Sequence, residues 1–276
     1  MGDIMLLSSL SPQAALLEGL VQIALQAGKR ALEIYHGDFT VMKKDDDSPV
    51  TQADREAEAI ILQGLKKLQP GVAVIAEEEY AKTKKGYNTD SFFLVDPIDG
   101  TQEFVNKRDE FTVNIALIKK AYPILGVIYA PAINRLYVGD VLAKTAWAAD
   151  TTEDFQIENR NSIQIREAGE KWDVMTSFSH NNPATEAYLK QLPIENRIKA
   201  GSSLKLCLLA EGKADIYPRL SPTHEWDTAA GHAILLAAGG NVIDETGENL
   251  TYGKPGYRNP GFIAYGSEQP PLPVEK

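Results

Sequence analysis

The chain has 276 residues, 43 % hydrophobic and 24 % charged, the composition of an ordinary globular protein and not of a disordered or collagen-like one. Its 28 basic and 38 acidic residues leave a net charge of −10, which repels a phosphate backbone and excludes a nucleic acid polymer as a large partner. Cys207 is the single cysteine, so an internal disulfide and a cysteine-rich zinc site are excluded, and no apolar run reaches the ~18 residues of a membrane-spanning helix.

Asp3 stands where a secretory leader carries positive charge, and Leu6 breaks the myristoylation pattern that Gly2 would open, so a cytoplasmic protein is expected. Ser11-Pro12 is a helix start, and Leu16, Leu20, Ile23, Ala27, Ala31 and Ile34 follow at helical spacing to about His36-Gly37. A charged loop at 43–47 precedes a second helix at 53–68, stopped by Pro70-Gly71. Short apolar strands at 72–76 and 92–95 each end on acids, Glu77-Glu78-Glu79 and Asp96. Segments 112–118, 124–130 and 136–141 read as an antiparallel meander, with a further strand at 146–149.

After residue 150 strands and helices alternate: strands at 173–177, 197–200, 214–217 and 242–244, helices at 183–191, 202–211 and 226–238. Residues 270–276 form a proline-rich tail. The two textures predict an α+β lobe over 1–150 and an α/β lobe over 151–276. At roughly 150 residues per domain the length agrees.

The most informative segment is Phe92-Phe93-Leu94-Val95-Asp96-Pro97-Ile98-Asp99-Gly100-Thr101. Four large apolar residues bury a strand, and two carboxylates, a glycine and a hydroxyl follow at once. Any one Asp-Pro pair is ordinarily a turn, a glutamate run is ordinarily a solvated face, and an acid opening a helix, such as Asp54 or Asp227, ordinarily compensates the helix dipole. Together these acids suggest hard divalent cations, because oxygen donors suit Mg²⁺ or Mn²⁺ and argue against zinc. Acids converging without a cation would repel one another, whereas with cations the site becomes able to take a phosphate dianion. Cys207 reads as core, and Lys43-Lys44 as solvated charge. His224 has two readings, helix capping or contact with the site.

Asp96-Pro97-Ile98-Asp99-Gly100-Thr101, with Glu77-Glu78 upstream and Trp226-Asp227 downstream, resembles the motifs of the inositol monophosphatase superfamily, in the same order. Segments 110–118, 123–131, 201–205, 217–219 and 226–232 are similar to its CysQ branch, the 3'(2'),5'-bisphosphate nucleotidases, more than to its inositol branch. The resemblance implies a layered α-β-α-β-α sandwich and Mg²⁺-dependent, lithium-sensitive hydrolysis, with two or three Mg²⁺ per site. Adenosine 3',5'-bisphosphate would lose its 3'-phosphate to give AMP, clearing a by-product of sulfate activation. It also implies roles. Glu77, Asp96, Asp99 and Asp227, with the Ile98 carbonyl, would bind metal. Thr101 would orient the attacking water with Asp54 as proton acceptor. Asp99, Gly100, Thr101, Gln102, His180, Ser202, Lys205, Arg219 and Asp227 would contact the substrate. Lys205 and Arg219 have a direct meaning as well, since a second, uncut phosphate needs cations away from the metals. The alternatives are an inositol or sugar monophosphate phosphatase on the same fold, and a silent metal- or nucleotide-binding regulator.

Overall fold

A computed structural model describes residues 11–43, 49–178 and 182–273. The first ten residues, most of the charged loop and His180 lie outside the described residues.

Helix α1 (Pro12–His36) begins as its sequence dictates: Ser11 Oγ accepts the Ala14 N–H at 3.2 Å and Pro12 opens the helix. An antiparallel pair, β1 (Val41–Lys43) and β2 (Pro49–Thr51), leads to α2 (Gln52–Leu68). Strand β3 (Ala73–Ala76) runs into α3 (Glu77–Thr83), and β4 (Ser91–Asp99) into α4 (Thr101–Val105). The meander follows as β5 (Thr112–Lys119), β6 (Tyr122–Ala130), β7 (Arg135–Asp140), β8 (Thr145–Thr151) and β9 (Ile157–Ser162). Then come β10 (Trp172–Ser177), α5 (Pro183–Leu189), β11 (Ile194–Ala200), α6 (Leu204–Ala210) and β12 (Ile216–Arg219). The chain ends through β13 (Thr223–His224), α7 (Ala229–Ala237), β14 (Asn241–Asp244), β15 (Arg258–Asn259) and β16 (Phe262–Tyr265).

Strands β3 to β9 form a seven-stranded sheet in sequence order, antiparallel except for the β3–β4 pair. The second sheet has the order β11-β10-β12-β16-β14. In it β10 is parallel to β11 and β12, and β16 is antiparallel to both its neighbours. Alternation along β4 shows how the layers stack. Phe93 and Val95 face α1 and α2, while Phe92 and Leu94 face the opposite core with Leu206 of α6 and Ile234 of α7. That second core continues onto Met175, Tyr217 and Phe262 of the five-stranded sheet, whose far side packs Val174, Ile216 and Ile263 against Tyr188 and Leu189 of α5. The layers therefore run α-β-α-β-α, as expected. Both faces of β4 are buried, which is why it reads as an unbroken apolar run.

Glycines set the seating of α7. A Cβ on Gly139 would lie 2.6 Å from the Ile234 Cα, and one on Gly126 2.3 Å from the Ala230 carbonyl oxygen. Backbone cannot yield there, so Gly139→Ala is expected to destabilise the protein by roughly 2–3 kcal/mol. A lower denaturant midpoint with unchanged slope would show it.

Four local expectations are corrected. The acids after β3 begin a helix, α3, where a bare strand end was expected. The strand expected at 214–217 is shifted to Ile216–Arg219. The helix expected at 226–238 is a 3₁₀ turn, Glu225–Asp227, followed by α7, so Asp227 closes a turn and does not lie in the helix's first turn. Strand β16, unpredicted, lies inside the second sheet between β12 and β14.

Candidate active site

The acids meet because β4 is irregular. Asp96 pairs with Asn114 and Asp99 with Thr112, so three steps on β4 face two on β5. In a regular strand residues three apart point to opposite faces. The extra residue turns both carboxylates onto one cavity. Pro97 lies in this bulge, where its missing N–H costs nothing to the ladder. Asp96 is 2 % exposed, and its Oδ1 accepts the Ile98 N–H at 3.0 Å. Gly100 then turns the chain with φ +89°, and a Cβ there would sit 3.1 Å from the Glu110 carbonyl oxygen. The turn delivers Thr101 to the start of α4.

The cavity has a volume of about 270 Å³. Its acidic wall consists of Glu77, Asp96, Asp99, Glu103 and Asp227, with Ile98, Gly100, Thr101 and Gln102 alongside. Ser177, Ser202, Lys205 and Arg219 line the same cavity, with Lys205 and Arg219 near enough to Asp99 to pull its carboxyl down. All the expected metal and substrate residues therefore share one cavity, apart from His180, which is not described.

Asp54 lies just behind the wall. Its Oδ2 accepts the Thr51 N–H and hydroxyl, both at 2.7 Å, which caps α2. Its Oδ1 accepts the Thr101 hydroxyl at 3.1 Å, and the same hydroxyl lies 3.1 Å from the Ile98 carbonyl oxygen. The dipole-compensating and functional readings of Asp54 are both compatible with this geometry, one oxygen for each.

Electrostatics within the cavity are strained. Burial pushes the Asp227 carboxyl well above the usual range, and repulsion from Asp99 and Glu77 adds to it; Arg219 and the His224 N–H oppose it. Burial also raises Asp99, against the pull of Lys205 and Arg219. Asp54 is pushed up to about 6, mainly by burial. A carboxyl whose pKa is raised on folding binds more protons in the native state, so its contribution falls as pH rises above the unfolded value of about 4. The cation-free protein is therefore expected to lose melting temperature between pH 5 and pH 8, and Asp227→Asn should flatten that slope. An equal slope in the variant would exclude Asp227 as a source.

The donors fit a hard divalent cation: carboxylates and a carbonyl oxygen surround one cavity, and their mutual repulsion is what such an ion relieves. Among the described residues, as the side chains stand, no three of His, Cys, Asp or Glu are grouped so that they could hold a metal ion.

The basic side is built differently. Lys205, 3 % exposed, donates to the Ser202 carbonyl at 2.6 Å and the Ala200 carbonyl at 3.2 Å. It thereby holds the 201–203 turn, in which Ser202 has φ +42°. Glu110 accepts the Gly201 N–H from the other side. Arg219 is half-buried, and its Nε is shut off from solvent without a hydrogen-bond partner, as is Ser202 Oγ. The cavity can open here because β12 pairs with β10 only at Ile216–Val174. Pro218 has no N–H with which to extend that pairing toward Ser177.

The sequence reading missed Glu103, Ser177, Tyr217 and Thr228 at the cavity and left His224 open; His224 lines it, stacked on Trp226 at 4.6 Å. Apart from its acidity, nothing about Glu103 marked it, since a glutamate in the first turn of a helix is ordinarily solvated.

A layered sandwich with bulged strand-end acids and basic side chains lining one cavity is the architecture of a metal-dependent phosphoesterase fold. The chain belongs to the inositol monophosphatase family, whose sequence profile residues 13–267 match. A relative from Salmonella typhimurium, the 3'(2'),5'-bisphosphate nucleotidase CysQ, is 42 % identical over 250 residues, spanning 90 % of this chain and 98 % of its own. The protein of the same name from Haemophilus influenzae is 32 % identical, over 92 % of this chain and 93 % of its own. The crystal structure of CysQ from Bacteroides thetaiotaomicron, a bacterial member of the family, superposes with a TM-score of 0.77 at 37 % identity, covering 92 % of this chain and 97 % of that one. An inositol monophosphatase from Anabaena has the same fold, with a TM-score of 0.71. Among the described residues no helix is long and apolar enough to cross a membrane.

Proposed function

We propose that this protein is a 3'(2'),5'-bisphosphate nucleotidase that hydrolyses the 3'-phosphate of adenosine 3',5'-bisphosphate to AMP and phosphate. The observation that carries the reading is one cavity lined both by the acids and by Arg219, whose buried Nε has no hydrogen-bond partner. The names of the 42 % identical relatives support the same substrate class.

Glu77, Asp96, Asp99, Asp227 and the Ile98 carbonyl would hold two or three Mg²⁺. Bound there, the ions supply Lewis-acid stabilisation of charge on the phosphoryl and leaving oxygens. The chain's own groups do the rest. Thr101 Oγ1 orients the attacking water and takes a proton from it as its own hydroxyl proton passes to Asp54 Oδ1, 3.1 Å away. The N–H groups of Thr101 and its neighbours precede the first bond within α4, Phe104 N–H to Gly100 O, and would help hold the scissile phosphate. Arg219 and Ser202 take the second phosphate, while Lys205 fixes the Ser202 turn and adds charge. The water oxygen bonds to phosphorus in line as the bond from phosphorus to the 3'-oxygen breaks, and that oxygen takes a proton from solvent water to leave as the AMP 3'-hydroxyl, with no covalent enzyme intermediate. A cytoplasmic setting and a division into lobes near residue 150 belong to the same proposal.

The test is phosphate release from adenosine 3',5'-bisphosphate and inositol 1-phosphate, with Mg²⁺ and then with EDTA. A Mg²⁺-dependent preference for the nucleotide is expected. Preference for inositol phosphate would keep the acidic wall and discard the role of Arg219. Mg²⁺ binding with no phosphate release from either would make the chain a silent relative.

A further inference from the structure

Helix α3 starts on Glu77, and the residue before it, Ala76, has no side chain that can cap it. The cap comes from α2. Glu58 is 6 % exposed, and its Oε2 accepts the Glu78 N–H at 2.8 Å; the Glu79 N–H also bonds to this carboxylate. Asp54 and Glu58 are four residues apart, so they share one face of α2. From that face Asp54 reaches Thr101 at the start of α4, and Glu58 reaches the start of α3. One helix thus holds the first turns of two short helices that carry cavity residues, α3 and α4.

We propose that Glu58 is a positioning residue for Glu77: it touches neither cation nor substrate, but it sets the affinity for the divalent cation by holding the turn from which Glu77 projects. This rests on the reading of Glu77 as a ligand. A first turn without a cap frays, and Glu77 is the residue that fraying displaces. Outer groups that orient ligands change metal affinity by about tenfold or more when removed.

The experiment is calorimetric titration of Mg²⁺ into the substrate-free protein, with melting curves alongside. Glu58→Ala should weaken binding about tenfold. Glu58→Gln, which keeps an acceptor oxygen at the same reach, should stay close to wild type. KM for the nucleotide at saturating Mg²⁺ should not move. Should the alanine variant fail to fold, Glu58→Asp, one methylene too short, should fold and bind weakly. A lower melting temperature with unchanged cation affinity in either short variant would overturn the proposal, leaving Glu58 a structural cap. Glu77→Gln separates the two readings. If it weakens binding and Glu58→Ala does not, only the positioning role falls; if Glu77→Gln binds as wild type, the ligand reading falls and takes this inference with it.

Discussion

Asp96→Asn is expected to abolish turnover while the protein still folds. Asparagine is nearly isosteric, and its Oδ1 can still accept the Ile98 N–H that Asp96 accepts at 3.0 Å, so the bulged turn survives. What disappears is one negative charge at a position 2 % exposed, on the wall where the cations would bind. A lost carboxylate ligand weakens cation binding and with it several kcal/mol of transition-state stabilisation. At about 1.4 kcal/mol per tenfold, kcat should fall on the order of a thousandfold. Excess Mg²⁺ should restore only part of it, and the melting curve should stay cooperative. Near wild-type phosphate release would remove Asp96 from the metal assignment.

The second large effect concerns substrate choice. Arg219→Ala should cut kcat/KM for adenosine 3',5'-bisphosphate by roughly a hundredfold or more, the loss of about 3 kcal/mol from a half-buried charge-assisted contact. Adenosine 3'-monophosphate, which lacks the second phosphate, should lose far less. Some loss common to both is expected, because Arg219 also lowers the proton affinity of Asp99 and Asp227. The difference between the substrates, not the absolute loss, reports the second phosphate. Equal losses would leave Arg219 as an electrostatic partner of the acids and nothing more.

Local chemistry made much of this molecule legible. Ser11-Pro12 and the apolar period after it define α1 to within a residue, since capping and periodicity are properties of neighbours in sequence. The double burial of β4 shows in Phe92 to Val95, and the acids, glycine and hydroxyl that follow all line the cavity. The family resemblance, carried by those residues with Glu77 and Asp227, pointed to the layered sandwich that the chain adopts.

Other features have no local signature. Helix α3 is a glutamate run that reads as solvated; it is helical where Glu58, some twenty residues earlier, can cap it. Strand β16 is four residues, too short for periodicity to find, yet it joins β12 to β14. The turn holding Asp227 is set by the His224 N–H bonding its carboxylate at 3.0 Å, within a segment whose apolar pattern suggests continuous helix.

The sequence by itself determined the main secondary elements, the acid-rich strand end and the chemistry those acids favour, because each depends on residues within a few positions of one another. Only the tertiary structure decided that Asp96 and Asp99 face one cavity, that Arg219 lines it too with a buried Nε, and that Lys205 donates its protons to a turn. A bulge register, a strand pair that stops at Ile216 and a cap supplied from another helix are relations between distant segments, and packing alone brings those segments together.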